Sequence, residues 1–207
     1  MDSSLPSLDA LPSLDALPSL DALPGPDALP GPDALPGPDA ALMMLRASLA
    51  QIDFARRYTR ELLGATPTEL WFTRIDAVPT FVAWQVGHLA VSQYGLLMFR
   101  IHGRRDADLD LIPSKFRKAF GRGSDPASSS VSQFGADDLL QRLDEVHARS
   151  IRGLEGIDPR VLLEPVEMPY AAYPVKLGAI LFCPLHEQIH AGQIGLMRRM
   201  LGLPSVR

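Results

Sequence analysis

Apolar residues recur every three or four positions in four separate stretches of the chain, the spacing that places them on one face of an α-helix. In the first stretch, residues 41–63, the apolar stripe runs from Leu42 to Leu62, and Gly64 is a suitable C-terminal cap. Charged residues of this stretch, Arg56 among them, fall outside the stripe. The pattern therefore predicts a long amphipathic helix with its charges on the polar side.

The second stretch carries a histidine inside its apolar stripe. Thr80 is a suitable N-cap, and the helical pattern fades near His102. His88 shares its face with apolar residues such as Trp84 and Val91. We therefore predict a second helix over residues 80–102 that turns His88 inward.

The third and fourth stretches complete the set of long helices. The third is predicted over 134–154, and the fourth from residue 175 or 176 to residue 202. Pro184 lies inside the fourth and is expected to kink or restart it. Its predicted inward face comprises Phe182, His186, Ile189, His190, Gln193 and Met197.

The connections between the helices differ in length. Residues 104–132 form a long crossover that contains one short amphipathic helix, residues 113–120. A crossover of this length allows the second and third helices to run parallel. Residues 155–174 are rich in proline, with 161–163 as a short extended piece. The predicted fold class is all-α, a four-helix bundle with up-down-down-up connectivity.

The N-terminal segment is built differently from the rest. Residues 5–40 are six copies of a hexapeptide, three of Leu-Pro-Ser-Leu-Asp-Ala and three of Leu-Pro-Gly-Pro-Asp-Ala. Proline removes backbone donors and opposes helix and strand, so residues 1–40 are predicted to be a disordered or polyproline-like tail. The folded domain is predicted at residues 41–207. A proline-rich docking tail, or translation that starts at Met43 or Met44, are the alternatives.

Composition excludes several classes of partner. The net charge is −4 with scattered Lys and Arg, so a nucleic-acid partner is not expected. No apolar run approaches the roughly 18 residues that span a bilayer, so no membrane span is expected. The N-terminus lacks a basic segment followed by an apolar one, so it is not expected to be a secretory signal. Cys183 is the single cysteine and cannot form an internal disulfide. A reducing cytoplasm is the expected compartment.

The histidine spacing predicts a metal site. His186 and His190 are four residues apart and lie one above the other on a helix, so both imidazoles can reach one divalent ion. His88, inward on another helix, is the best third ligand. Imidazole does not select one metal, so Zn, Ni, Fe and Mn remain candidates. The alternative is that the three are ordinary core histidines.

Residues 186–190 also spell His-Glu-x-x-His, the signature of zinc proteases, in which Glu187 would be the general base. The longer form of this signature requires histidine where Leu196 stands, and no His, Asp or Glu follows His190. No edge-strand pattern that could hold a peptide precedes it. A metalloprotease is therefore the weakest of the enzyme interpretations.

Three motifs in chain order resemble the DinB/YfiT-like family over roughly residues 41–203. The motifs are Trp84-x-x-Gly87-His88-Leu89-Ala90, then Pro113…Phe120-Gly121-x-Gly123-Ser124-x-Pro126, then His186-x-x-x-His190-Ala191-Gly192-Gln193-Ile194 with Arg198-Arg199-x-Leu201-Gly202 beyond it. The resemblance implies a four-helix bundle, often a homodimer. It also implies a divalent metal on three histidines, matched here by His88, His186 and His190.

Some members of the family that the chain resembles use a low-molecular-weight thiol (mycothiol, bacillithiol or glutathione) in S-transfer or isomerisation. The resemblance therefore implies a metal-dependent enzyme that binds a small-molecule substrate or thiol, as a thiol S-transferase or a hydrolase. The alternative is a non-catalytic, stress-associated bundle that binds metal. An open pocket beside the ion would favour the enzyme, and a sealed site with a fourth ligand such as His147 would favour the structural role.

Other residues near the predicted site receive lesser roles. Gln193 is a candidate to hydrogen-bond the cofactor or ligand, with helix packing as the alternative. Glu187 lies about 100° from the metal face and is expected to be solvated or to act behind the ligands. Cys183 is expected to be a small buried hydrophobe instead of a reactive thiol. His102 is expected at the surface, and Trp84 and Met197 in the core.

Overall fold

The computed structural model describes residues 35–76, 78–166 and 173–206, and these are mostly helical. The longer helices are α1 (Pro38–Gly64), α2 (Val82–Gln93), α3 (Ser114–Phe120), α4 (Ala136–Leu154) and α5 (Lys176–Met200). Shorter helical turns lie at Thr68–Leu70, Asp108–Leu111, Val131–Gln133 and Pro159–Leu162. The described residues form no strand, and pairing is limited to one bridge between Pro165 and Val175. The all-α prediction is therefore confirmed.

Several predicted boundaries are close and two local predictions are wrong. Helix α1 begins at Pro38, three residues early, because proline fits the first turn of a helix, where no N–H partner is needed. Thr80 is not the cap of α2, which follows an extended Phe81 and has no side-chain cap. Residues 161–163 are not extended, since Asp158 caps a helical turn by accepting from the Arg160 N–H at 2.9 Å. Of residues 1–40, which were predicted to be disordered, residues 1–34 lie outside the described part of the chain, and the last three belong to α1 instead.

Buried apolar side chains form two clusters, separated along the helices by polar residues. In α1, Ile52 belongs to one cluster and Leu62 to the other, and Arg56 lies between them. In α5, Cys183 and Ala191 mark the same division. The polar residues that flank the candidate site therefore occupy a layer between two apolar cores.

Helices α1 and α5 run in the same direction, since residues later in α1 contact residues later in α5. Ser48 donates to the Ile180 carbonyl at 3.2 Å, and further along both helices the Arg198 guanidinium donates to the Leu62 carbonyl at 3.1 Å. Between α2 and α5 the contacts run in opposite directions, because Gln85 near the start of α2 contacts Gln193 near the end of α5. These pairings bring the middle of α5 against both α1 and α2.

Helix α5 continues through Pro184, where a kink or a restart was predicted from the sequence. Proline has no N–H to bond the carbonyl four residues earlier, which here belongs to Ile180. The Ser48 hydroxyl of α1 donates to that carbonyl instead. A contact between helices thus satisfies the group that Pro184 leaves without its helical partner.

Helix α2 passes into a π-helical segment, Tyr94–Phe99, and ends with the turn Arg100–His102. The Arg100 guanidinium donates back to the Gly95 carbonyl at 3.0 Å. Short π segments inside helices often accompany functional sites. No helix of the described residues has the length and apolar content needed to cross a membrane.

Candidate metal centre

The structure brings His88 of α2 together with His186 and His190 of α5. One ring nitrogen from each of the three histidines lies within 4.8 Å of the others. The ring centroids are 4.5 Å apart for His186 and His190, 4.7 Å for His88 and His190, and 5.4 Å for His88 and His186. We call these three residues the histidine cluster. They are the residues that the sequence spacing singled out.

The ring of His88 is held from two sides. Its Nδ1 donates to the Phe120 carbonyl at 2.8 Å, and the Trp84 ring stacks on it with centroids 4.7 Å apart and planes 8° from parallel. Phe120 approaches α2 at Gly87, where an added Cβ would lie 2.3 Å from the phenyl ring. The glycine therefore permits the approach that brings the Phe120 carbonyl to His88.

His190 is held by a pair of glutamines. Its Nδ1 donates to Oε1 of Gln85, and Nε2 of Gln85 donates to Oε1 of Gln193 at 2.8 Å. Ligating histidines in metal proteins are commonly fixed in this way through the ring nitrogen that does not bind the metal. Because both Nδ1 atoms are donors here, Nε2 of His88 and of His190 is left as the acceptor.

The three imidazoles are suited to metal ligation because they are neutral at pH 7. Burial, with the neighbouring His88 as a smaller cause, lowers the pKa of His186 to about 4. Burial, and then the proximity of His186, lowers the pKa of His190 to about 3. Burial also lowers the pKa of His88. Neutral imidazole is the form that binds divalent metals.

The donor set fits a divalent metal ion. Nε2 of His186 and Nε2 of His190 lie 3.3 Å apart, and at most one of the two can carry a proton toward the other in a neutral pair. Nitrogens bound to one zinc ion at about 2.0–2.1 Å are separated by a comparable distance. The histidine cluster is therefore a group that could hold a divalent ion, as its spacing predicted.

A cavity of about 290 Å³ opens beside the histidine cluster. We call it the cluster pocket. Its lining residues are His88, Val91, Ser92, Gly95, Leu96, Arg100, Arg122, Phe182 and His186. A concave, largely apolar space with a few polar groups is the usual form of a small-molecule site. The site is thus open on one side.

Glu187 is neither solvated nor beside the ligands, which corrects both predictions made for it. It is 2% exposed and pairs with Arg56, 3% exposed, across a 2.7 Å contact. Arg56 was itself predicted on the polar side of α1, but it also donates to the Leu143 carbonyl at 2.6 Å and to Gln93 at 2.8 Å. Apolar periodicity assigns charged residues to the surface and does not reveal buried partners.

His147 is not a fourth ligand of the histidine cluster. Its Nδ1 accepts from the Gln93 amide at 3.2 Å, and its Nε2 lies 3.7 Å from an Asp53 carboxylate oxygen. Arg56, Glu187, Gln93 and His147 therefore form one connected group, which we call the Arg56 network. It belongs to the polar layer between the two apolar clusters.

The remaining predictions for single residues had mixed outcomes. Cys183 is 3% exposed, and burial followed by the Glu187 carboxylate raises the pKa of its thiol, as expected for an inert buried cysteine. Ile189 was predicted to face inward but is 56% exposed, because α5 turns His186 and His190 toward α2. His102, expected at the surface, is partly exposed and contacts the Gly153 carbonyl at 2.9 Å.

Two groups that hold the histidines were not predicted. Gln85 lies three residues before His88 on the same helix, and that spacing is a signal that could have identified it. The Phe120 carbonyl has no such signal, because a backbone acceptor has no residue type and its approach depends on tertiary packing. Gln193 contacts Gln85, and its predicted bond to a cofactor or ligand stays a prediction.

A family model of the DinB superfamily matches residues 51–194, more than half of the chain. The protein belongs to the DinB superfamily, and the resemblance inferred from the three sequence motifs is confirmed. No curated protein and no solved structure matched the chain.

Proposed function

We propose that the protein is a metal-dependent enzyme, a thiol S-transferase or a hydrolase, that binds one divalent ion through the histidine cluster. The observation that carries the proposal is the arrangement of ring nitrogens. Nδ1 of His88 and Nδ1 of His190 are both held by oxygen acceptors, which leaves Nε2 of each available to a shared ion. A core histidine also needs a partner for its N–H, but only a metal site requires the ring nitrogens of three histidines to converge within 4.8 Å of one another.

The protein side of the reaction follows from the neighbours of the cluster. The three neutral imidazoles would hold a divalent ion without cancelling its charge, and the ion would then lower the pKa of a thiol or a water at an open coordination position. The Phe120 carbonyl and Gln85 fix the ligand rings, and Trp84 covers one face of His88. The Ser92 hydroxyl, 3.3 Å from Nε2 of His88, can hydrogen-bond a molecule that occupies the pocket.

The cluster pocket favours an enzyme over a non-catalytic metal-binding bundle. A purely structural site is closed by four protein ligands, whereas a catalytic site keeps one position open. His147, the candidate fourth ligand, belongs to the Arg56 network, and the pocket gives a small molecule access to His88 and His186. A protease has less support, because the carboxylate of Glu187 is held by Arg56.

We propose up-down-down-up connectivity for α1, α2, α4 and α5. The support is the order of contacts, which advance together between α1 and α5 and run oppositely between α2 and α5. We also propose a homodimer that buries the exposed apolar stripe of α5. That stripe consists of Leu185, Ile189, Leu196 and Met200. Light scattering of the wild type and of the Ile189→Lys/Leu196→Lys variant tests the dimer, and an unchanged mass for the variant would contradict this face.

Metal content of untagged protein tests the proposed function. We expect about one divalent ion per chain by elemental mass spectrometry, and loss of most of it in His190→Ala. His147→Ala is the matched control, since it removes an imidazole from the same bundle outside the cluster, and it should retain the ion. If neither wild-type protein nor protein incubated with Zn, Ni, Mn and Fe(II) holds metal, the enzyme proposal fails.

Assays of the metal-loaded protein distinguish the two reaction types. A thiol S-transferase should consume an electrophile only when a low-molecular-weight thiol is added, and a hydrolase should cleave an ester substrate without one. Glutathione, bacillithiol and mycothiol are the thiols to compare. Activity that persists in the metal-free His190→Ala variant would contradict the role of the cluster in either reaction.

A further inference from the structure

The cluster pocket adjoins another cavity, of about 260 Å³. We call this space the distal cavity. Its lining residues are Val91, Tyr94, Gly95, Phe99, Arg104, Ile112 and Arg117. Val91 and Gly95 line both the distal cavity and the cluster pocket. The two spaces therefore meet along α2 and the π-helical segment that follows it.

Helix geometry explains why Val91 and Gly95 form the boundary. They are four residues apart, so they lie one above the other on the helix surface. His88 and Leu96, which line the cluster pocket, lie to one side of this pair around the helix. Tyr94, which lines the distal cavity, lies to the other side. Val91 and Gly95 thus form a ridge with one cavity on each side of it.

The ridge is low at Gly95, because glycine has no side chain. The backbone of Gly95 is helical, and a Cβ added here would lie 3.6 Å from Nη1 of Arg100, which is ordinary van der Waals contact. Neither the backbone conformation nor crowding by the described residues therefore requires a glycine at this position. Glycine inside a helix is unfavourable relative to alanine, and it usually has a packing or a functional reason. A passage between the two cavities supplies such a reason.

Most of the surface of the distal cavity is apolar. Val91, Ile112 and the rings of Tyr94 and Phe99 contribute to it. The Tyr94 hydroxyl donates to Oδ2 of Asp108 at 3.3 Å, so the polar end of this side chain already has a partner. The Phe99 side chain is 48% exposed, although it is large and apolar. An apolar molecule in the distal cavity would cover this ring.

The cluster pocket is also mainly apolar away from the histidines. Leu96 and Phe182 line it, and the Phe182 ring lies 5.7 Å from the His186 ring. Its volume of about 290 Å³ is near the lower end of the range of roughly 300–1,000 Å³ that is typical of small-molecule pockets. Each cavity alone suits a short molecule, and the low ridge at Gly95 allows a longer one to occupy both.

We propose that the cluster pocket and the distal cavity together bind one elongated substrate, a straight alkyl chain that carries the reacting group at one end. The reacting group lies at the histidine cluster, and the chain crosses the ridge at Gly95 and ends against Phe99 and Ile112. This inference rests on the proposed function for the chemistry of the reacting group. Gly95 and Phe99 are thus residues that determine specificity, because they select the length of the substrate.

Binding of butanamide and octanamide, two neutral molecules with the same head group and different chain lengths, tests the proposal. Dissociation constants come from chemical-shift titrations of both zinc-loaded and metal-free protein. Each methylene that becomes buried tightens binding by up to about fourfold, so octanamide should bind at least about tenfold more tightly than butanamide. The methyl resonances of Ile112 should shift with octanamide and not with butanamide, because only the longer chain reaches the distal cavity.

Two variants test the path of the chain. Gly95→Leu should raise the ridge and remove most of the advantage of octanamide, while butanamide binding changes by less than about threefold. Phe99→Ala should weaken octanamide binding by about tenfold and leave butanamide binding unchanged. Circular dichroism checks that each variant is folded, and Phe99→Ala decides the result if Gly95→Leu does not fold.

Phe54→Ala is the matched control for Phe99→Ala. Phe54 is 53% exposed, close to the exposure of Phe99, and it lines neither cavity. Its truncation should leave the binding of both amides unchanged. An equal loss of octanamide binding in Phe54→Ala would mean that exposed aromatic surface in general attracts the alkyl chain, and would overturn the assignment.

The outcomes separate this inference from the proposed function. Zinc binding together with equal affinities for octanamide and butanamide would refute the alkyl-chain site and leave the metal site intact. A preference for octanamide in a protein that never binds zinc would support the alkyl-chain site and refute the proposed function. A preference for octanamide that persists in both Gly95→Leu and Phe99→Ala would mean that the chain lies elsewhere, and would overturn the inference.

Discussion

The histidine cluster and the Arg56 network are two polar groups that share two helices. Both use α2 and α5, and His186 of the first is adjacent in sequence to Glu187 of the second. In the Arg56 network every group meets a partner of the protein, including a carboxylate for the guanidinium and an amide for His147. In the histidine cluster, ring nitrogens of three neutral imidazoles converge within 4.8 Å of one another. The first group pairs a buried charge with its countercharge, and the second gathers three neutral bases that could share a cation.

The difference between the two groups shows how burial relates to function in this bundle. Burial alone does not identify a functional residue, because Glu187 at 2% exposed is more deeply buried than His88 at 8%. What marks the histidine cluster is that Nδ1 of His88 and of His190 is fixed by an oxygen acceptor outside the cluster, while one ring nitrogen of each histidine lies within 4.8 Å of the others. A buried ion pair contributes little net stability, but the loss of one partner leaves a charge without compensation. Mutation of the Arg56 network should therefore lower the stability of the fold, whereas mutation of the histidine cluster should remove the stabilisation that a bound metal provides.

Arg56→Ala should give the largest effect, because it leaves the Glu187 carboxylate buried without its partner. We expect the free energy of unfolding, measured by urea denaturation, to fall by about 3–5 kcal/mol. The adjacent Arg57→Ala removes an exposed pair with Asp53 and should cost about 0.5 kcal/mol. Equal losses for the two variants would contradict the buried pair. Arg56→Met/Glu187→Leu, which removes both charges, should recover part of the loss.

Zinc should stabilise the wild-type protein through the histidine cluster and not through the Arg56 network. At free zinc of 100 times the dissociation constant, the free energy of unfolding should rise by about 2.7 kcal/mol. Arg56→Ala should show the same increment from its lower baseline, and His190→Ala should show none. Thermal unfolding with zinc or with a chelator measures this. A zinc effect that disappears in Arg56→Ala would mean that the two groups are not independent.

Gln85 and Gln93 provide a matched pair, since they lie on the same helix and each serves one of the two groups. Gln85→Leu removes the acceptor of His190 and should weaken zinc binding about 10–100-fold, the usual effect of losing a residue that orients a ligand. Gln93→Leu removes a partner of Arg56 and should lower stability while zinc affinity is retained. Titration calorimetry measures the zinc affinity of both variants, and urea denaturation measures their stability.

Gln193→Ala should give the smallest effect. Gln193 is exposed and acts on His190 only by holding Gln85, so zinc affinity should fall by about tenfold at most. If Gln193 also bonds a substrate, the Michaelis constant should rise in this variant by more than the zinc affinity explains. Steady-state kinetics at saturating zinc separate the two contributions.

Local spacing along the chain was enough to predict the long helices and the three histidines. His186 and His190 are one helical turn apart, and His88 lies in an apolar stripe, so local geometry indicates where each is directed. Arg56 and Glu187 could not be predicted this way, because the burial of each depends on the other, 131 residues away. A charged residue outside the apolar stripe, such as Arg56, is recognised as buried only once its partner is known.

Backbone details escaped prediction for a related reason. Proline inside α5 indicated an interruption, but the Ser48 hydroxyl of another helix compensates the Ile180 carbonyl and the helix continues. The Phe120 carbonyl reaches His88 because Gly87 admits the phenyl ring, a relation that involves two distant segments. In each instance the deciding partner is remote in sequence.

The π-helical segment Tyr94–Phe99 has a consequence for how this protein can change over generations. Such a segment behaves as one extra residue held within a helix, and its removal would turn everything beyond it by about 100°. His88 precedes the segment and Arg100 follows it. A single codon gained or lost there would move the arginine around the pocket while the histidine stayed in place. Selection could thus alter which molecules the cluster pocket admits without changing the histidine cluster.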